Sequence, residues 1–312
     1  MVGIISGEAM TDSVSSDSDF PIKPITLLVA FPPNGPADIA AKGLQKVITK
    51  YLKIPIIIKH LPGNGGVTAT TEVINGKPDG YTLCFSAAGA LVIQPRLQKL
   101  SYSTPNSYTP IINIVNNPVC FAVRKNLNLK TIDDFITYAT HKEVDCKIAS
   151  QDEFSIPHLV VEQFSKLAQI NIHHVHYPSG IDSLRALLKG EVDAISNHPS
   201  IVFSEYQQNN IEILGVFEKK RNCLFPEVPT FCESDFKITL GGYLPIIGPP
   251  EIPLSRISII HNAFKEALVD NEFIKLMKER GVTIFYQNSQ ELRDRLITDY
   301  FSAGNALKVF SS

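Results

Sequence analysis

The residues whose types and spacing could do chemistry cluster where apolar strands give way to helices. "FPPNGPADIAAKGLQKV" (31–47) leaves the run "ITLLVAF", turns through prolines and one glycine, and enters a helical pattern. Pro32 and Pro33 stiffen that turn, Gly35 permits close backbone approach, and Asp38 falls in the first helical turn, where a carboxylate is favourable. A helix N-terminus offers unsatisfied N–H groups and a partial positive charge, which suit an anion or a polar carbonyl compound. Alone, this loop reads better as a tight turn whose Asp38 caps its own helix. The arrangement recurs, however, in "SAAGALVIQP" (86–95), "ASQDEFSIPHL" (149–159) and "YPSGIDSL" (177–184), each lying between a strand and a helix. Several such N-termini converging on one crevice would make a ligand site. Within "SIPHL", Ser155 either caps its helix or donates to a ligand, and His158, one turn in, is placed to reach the cleft.

Other chemistries find weaker support. "PGNGGVTATTEV" lacks the third glycine of a dinucleotide fingerprint, has no acidic residue about 20 positions on, and is followed by no GK[ST]. No GxSxG marks a hydrolase elbow. In "HHVH", His174 and His176 would share one face of a strand, but they supply only two metal ligands, with no HExxH or CxxC beside them. Structural histidines, no metal and no cofactor are the expectation.

The elements that must position these loops follow βαβ grammar. "ITLLVAF", "PIIIKHL" and "YTLCFSA" alternate with helical patterns at 37–51, 65–75 and near 90. Nearly continuous apolar strands imply sheets covered on both faces by helices. A second series begins after "PVCFAVRK": helix "TIDDFITYATHK", strand "CKIAS", helix "PHLVVEQFSKLA", strand "INIHHVHY", helix "IDSLRALLKG", strand "VDAISN", a helix from Ser200, and strand "IEILGVF". Beyond residue 220, "FPEVPTFCESDFKITLGGYLPIIGPPEIP" reads as a crossover back to the first domain, before helices at 253–269, 271–280 and 289–308. The expectation is an α/β protein of two doubly wound lobes with a ligand cleft between them. Lobe 1 comprises 21–122 plus 243–312, lobe 2 comprises 123–242, and 1–20 form a disordered tail.

Composition narrows the partners. The chain has 312 residues, a formal net charge of -2, 44% hydrophobic and 19% charged residues, enough to bury two moderate cores. It shows no run of about 18 apolar residues and no basic block, which argues against membrane insertion and nucleic acid and leaves small soluble ligands. The first twenty residues are a poor secretory signal, so the chain is either cytosolic or already trimmed. Of five cysteines, Cys84, Cys120 and Cys146 sit in apolar runs, while Cys223 and Cys232, in a proline-containing stretch, could pair in an oxidising compartment.

In order and spacing, "FPPNGPAD", "LPGNGGVTAT", "KPDGYTL", the Ser-x-x-His-Leu of "SIPHL", "VHYPSG", "LLKGEVDAI" and "FPEVPT" resemble the substrate-binding proteins of tripartite tricarboxylate transporters, the Bug family. The resemblance runs from about Pro21 to the C-terminus. It implies a periplasmic binding protein of type II, monomeric and non-catalytic, which closes on a small carboxylate and delivers it to a membrane permease. Carried over by motif, Asn34, Gly35, Ala37 and Asp38 with Ser86, Ala87 and Gly89 would hold the ligand from one lobe. Ser155 and His158, Ser179 and Gly180, and Ser196 and Asn197 would hold it from the other.

The sequence also departs from the family pattern. Ala37 replaces a usual hydroxyl residue and Ala90-Leu91 a frequent Thr-His, each change deleting a side-chain hydrogen-bond partner. Asp152 and Glu153 stand where small residues are usual, and "AISNHPS" lacks an aspartate often found there. A negative rim disfavours a dicarboxylate unless those groups point away or meet a cationic part of the ligand. The expected ligand is therefore a monocarboxylate, or a molecule with an apolar or amino-bearing tail. An enzyme or a ligand sensor on the same scaffold is the alternative, because fold does not fix function.

Overall fold

A computed structural model of the protein describes residues 19–141, 145–238 and 241–308. Its strands are β1 (Ile25–Val29), β2 (Ile56–His60), β3 (Thr82–Phe85), β4 (Thr109–Asn117), β5 (Cys120–Arg124), β6 (Cys146–Gln151), β7 (Ile172–Tyr177), β8 (Ala194–Asn197), β9 (Ile211–Val216), β10 (Gly242–Gly248) and β11 (Thr283–Gln287). The α-helices are α1 (Pro36–Val47), α2 (Thr49–Leu52), α3 (Val67–Ile74), α4 (Gln94–Leu97), α5 (Ile132–His141), α6 (Ile156–Ala168), α7 (Gly180–Lys189), α8 (Pro199–Gln207), α9 (Leu254–Leu268), α10 (Asn271–Glu279) and α11 (Ser289–Lys308). None of these helices is long and apolar enough to cross a membrane.

Two mixed sheets organise the chain. One runs β11-β4-β10-β3-β1-β2 and the other β7-β6-β8-β5-β9. In the first, β1 pairs in parallel with β2 and β3; in the second, β6 pairs in parallel with β7 and β8. β10 and β5, where the chain enters a new sheet, run antiparallel to their neighbours. The chain leaves the first sheet at Asn117, and Cys120 already pairs with Asn197, so β5 belongs wholly to the second sheet rather than being split at residue 122. The return places β10, from Gly242, between β4 and β3.

β4, β10 and β11 go beyond the strands expected from sequence. β10 is fully buried despite Pro245 at its centre, and the ladder with β4 shifts register between Leu244 and Pro245. That irregularity accommodates a residue with no N–H to give. Helix α1 buries Ala37, Ala40, Ala41 and Leu44, and it comes so close to α10 that a Cβ at Gly43 would stand 2.9 Å from Phe273 and Met277. The second sheet packs Phe121 edge-on to Phe135 and Phe164, with ring centroids 4.8 and 5.7 Å apart.

The expected N-terminal tail falls mostly on residues 1–18, which lie outside the described residues. Phe20 is a correction: it is buried and packs edge-on to Tyr81 at 4.9 Å. Cys223 and Cys232 are free thiols, so the pairing considered from sequence is not made.

Candidate functional site

The parallel strands β1, β2, β3, β6 and β7, together with β8, all direct their carboxyl ends at one cleft of about 610 Å³ between the two sheets. Ligands bind beyond such strand ends because the following helices begin there. The first sheet contributes Ala30–Pro36, Pro62, Gly63, Gly65, Gly66 and Ala87–Gly89; the second contributes Gln151, Asp152, Ser155–Pro157, Pro178–Asp182, Arg185, His198 and Ile201. Asn117 and Gly242–Leu244, from the segments that cross between the sheets, also line it.

Of the residues singled out from sequence, Asn34, Gly35, Ala87, Gly89, Ser155, Ser179 and Gly180 line this cleft. Ser155 Oγ caps α6 by accepting the His158 N–H and itself donates to the Gln151 carbonyl; Ser179 Oγ caps α7 by accepting the Asp182 N–H. Both hydroxyls are thus engaged in holding the helix starts. First-turn N–H groups have no intrahelical partner. The N–H groups of Ile156, Gly180 and Ile181 in the first turns of α6 and α7, and those of Gly35 just ahead of α1 and of Ala87–Gly89 after β3, make no backbone hydrogen bond among the described residues.

The remaining six face inward and do not line the cleft. Ala37 is packed in the first core. Asp38 is fully buried: its carboxylate accepts the Asn34 N–H at 2.7 Å and the Lys42 ammonium at 2.8 Å, and pairs with His60 Nε2 at 2.8 Å. Burial raises its pKa, but Lys42, the Asn34 N–H and His60 together outweigh burial and leave it lowered. Asp38 therefore shapes the loop, with Asn34 held at φ 72, and uses the Asn34 N–H in doing so. Ser86 is buried in a hydroxyl pair with Thr70 at 2.7 Å, its N–H donating to the Pro245 carbonyl.

Ser196 is buried in β8, with an Oγ that has no hydrogen-bond partner among the described residues. Asn197 ties β8 to α7, its Nδ2 donating to the Gly180 carbonyl at 2.8 Å and to Ser183 Oγ at 3.1 Å. Gly180 is needed for that approach, since a Cβ there would stand 2.6 Å from Asn197 Oδ1. His158 turns away from the cleft toward Glu162 and His174, because the Phe154 N–H donates to its Nδ1 at 2.8 Å.

Residues beyond that set complete the walls. The Asp152 carboxyl lines the cleft with no hydrogen bond or ion pair among the described residues, and burial raises its pKa. Arg185, the cation in the lining, lies 3.1 Å from Asp182, whose other oxygen accepts from Ser179 Oγ at 2.6 Å. Arg185 was within reach of sequence reasoning, standing four residues after Ile181 on the same helix face. His198 donates from Nδ1 to the Pro118 carbonyl at 2.8 Å, between β4 and β5, and burial lowers its pKa to about 4. Tyr243 and Leu244 arrive through the long-range pairing of β10, for which no local motif exists.

Known proteins share this architecture. A Cupriavidus necator protein of the gbd 5′ region is 27% identical over 290 residues, covering 91% of this chain and 86% of that protein. The periplasmic binding protein BugD has a similar structure, with a TM-score of 0.83 at 22% identity, covering 93% of this chain and 98% of that one. MatC of Rhodopseudomonas palustris, solved with bound malate, gives a TM-score of 0.82 at 22% identity and covers 92% of this chain and 99% of its own. The fold is thus that of the two-lobed periplasmic binding proteins. The description "Tripartite tricarboxylate transporter family receptor" matches residues 40–307, and the chain belongs to that family.

Proposed function

We propose that the protein is a monomeric, non-catalytic solute receptor of the periplasm, which captures a small carboxylate between its lobes and hands it to the membrane permease of a tripartite transporter. One observation carries this reading: helix starts and the loops before them, from both sheets, leave backbone N–H groups unpaired among the described residues around the same cleft. Such donors favour an anion without a matching cationic side chain. Contacts from both lobes favour the closed form, and that differential affinity is what a permease can read. Family membership and the malate-bound MatC support the same ligand class.

The lining refines the ligand. Arg185 is paired with Asp182, so no unpaired cation in the lining awaits a second carboxylate. Pro32, Pro33, Ile156, Ile181 and Leu244 offer apolar wall, and Asp152 an unpaired acid. We infer a monocarboxylate whose remainder is apolar or bears an amine that meets Asp152. Calorimetry against a panel of monocarboxylates, amino acids, malate, adipate and citrate tests this. Monocarboxylates or amino acids are expected to bind one per chain. Asp152→Asn is expected to weaken amine-bearing ligands by about tenfold, near 1.4 kcal/mol, and to improve dicarboxylates. Binding confined to citrate-type acids would refute the refinement, and no binding to any acid would refute the function.

A further inference from the structure

Outside the cleft, we propose that His158, Glu162 and His174 form a binding site for a divalent transition metal ion such as zinc. The sequence offers only the two histidines of one strand; the fold adds α6, which presents His158 and Glu162, four residues apart on one helix face. One donor atom from each of His158, Glu162 and His174 lies within 4.8 Å of the other two. Glu162 Oε1 is 3.2 Å from His174 Nδ1 and 3.6 Å from His158 Nε2. Donors bound tetrahedrally to zinc at about 2.1 Å stand roughly 3.4 Å apart, so both pairs that include Glu162 already have the spacing. Only the two imidazoles need to approach each other. His176 stands beside them, its ring 4.8 Å from that of His174 and 4.7 Å from that of His158. It or water would complete the coordination.

Imidazoles with one carboxylate suit zinc and its transition-metal neighbours better than magnesium or calcium. An outer partner is also in place: Ser150 Oγ lies 2.8 Å from His174 Nε2, the nitrogen left over when Nδ1 binds metal. The Phe154 N–H donates to His158 Nδ1, which keeps that nitrogen free of a proton. Metal on Nε2 requires the proton on Nδ1, where it would meet the Phe154 N–H head-on. Occupancy therefore breaks this hydrogen bond and shifts a loop in which Asp152 and Phe154 hold φ of 37 and 58. Asp152 and Ser155 of that loop line the cleft, which couples metal to ligand.

Chelator-treated protein, titrated with Zn²⁺ by calorimetry and with Co²⁺ by visible absorption, is expected to take up one ion per chain with bands of nitrogen and oxygen ligation. Glu162→Gln and His174→Gln are each expected to weaken uptake by more than about tenfold, and Ser150→Ala by about tenfold. Metal-free thermal melts of the near-isosteric Glu162→Gln check that the fold is intact. In an amide NMR spectrum, the Phe154 resonance is expected to move in step with zinc. Absence of saturable uptake, or uptake unchanged by Glu162→Gln and His174→Gln, would overturn the site. A Phe154 resonance that stays fixed while zinc binds would overturn the proposed geometry at His158.

Discussion

Asp38→Ala is expected to lower stability by about 2–4 kcal/mol and to weaken ligand binding by more than about tenfold, although Asp38 does not line the cleft. The buried carboxylate accepts the Asn34 N–H and meets both Lys42 and His60. Alanine leaves the Asn34 N–H unpaired and removes the interaction that stabilises the left-handed turn at φ 72. The Lys42 and His60 side chains, 50% and 25% exposed, can rehydrate, which holds the cost below that of stranding a fully buried cation. Because the same turn sets the position of Gly35 and the start of α1, its collapse also moves the donors offered to an anion. Urea unfolding and calorimetry check both effects. Stability within about 0.5 kcal/mol of wild type, with unchanged affinity, would show that the loop holds its shape without Asp38.

Acid is expected to loosen the protein through His198 as pH falls from about 6.5 toward 4. Buried His198 gives its Nδ1–H to the Pro118 carbonyl, and desolvation of the imidazolium lowers its pKa from 6.5 to about 4. The sign follows from linkage. Between those values the unfolded chain binds a proton that the folded protein refuses, so stability is full above pH 6.5 and falls as pH drops toward 4. Each pH unit costs about 1.4 kcal/mol, for a total near 3 kcal/mol from this residue. His174 and His176, both lowered chiefly by burial, push in the same direction. His198→Gln keeps a donor but cannot titrate, and it isolates the effect. Urea unfolding at pH 7 and pH 4.5 is expected to show roughly 2–3 kcal/mol less loss in His198→Gln than in wild type. Equal losses would show that His198 does not carry the acid response.

The alternation of strand and helix was legible in the sequence because both sheets are built from local βαβ units with apolar strands. That the loops at Asn34–Gly35, Ala87–Gly89, Ser155 and Ser179–Gly180 meet at one cleft was legible for the same reason: a parallel strand followed by a helix ends at the carboxyl edge of its sheet, where the crevice lies. The facing of individual side chains was not. Ser86 looked like the first loop residue but closes β3, with its hydroxyl on Thr70. Asp38 and Asn197 sit within two residues of cleft-lining positions, yet their polar atoms turn back to bond the backbone of two other lining residues, Asn34 and Gly180. His158 is drawn off by the Phe154 N–H.

The non-local parts had no signature to read. β10 carries glycines and a central proline, and it is a strand only because β3 and β4 flank it. Tyr243 therefore reached the cleft lining unannounced. The run "PVCFAVRK" stood only as the junction before the second series, with nothing local to say which sheet would take it; the pairing of Cys120 with Asn197 decides that.

The most direct measurement is a crystal structure of the protein grown with the carboxylate that calorimetry selects. Carboxylate oxygens about 2.7–3.2 Å from backbone nitrogens of both lobes are expected, from Gly35 or Ala87–Gly89 on one side and Ile156 or Gly180–Ile181 on the other. A ligand seated outside the cleft, or gripped by side chains of one lobe alone, would contradict the assignment.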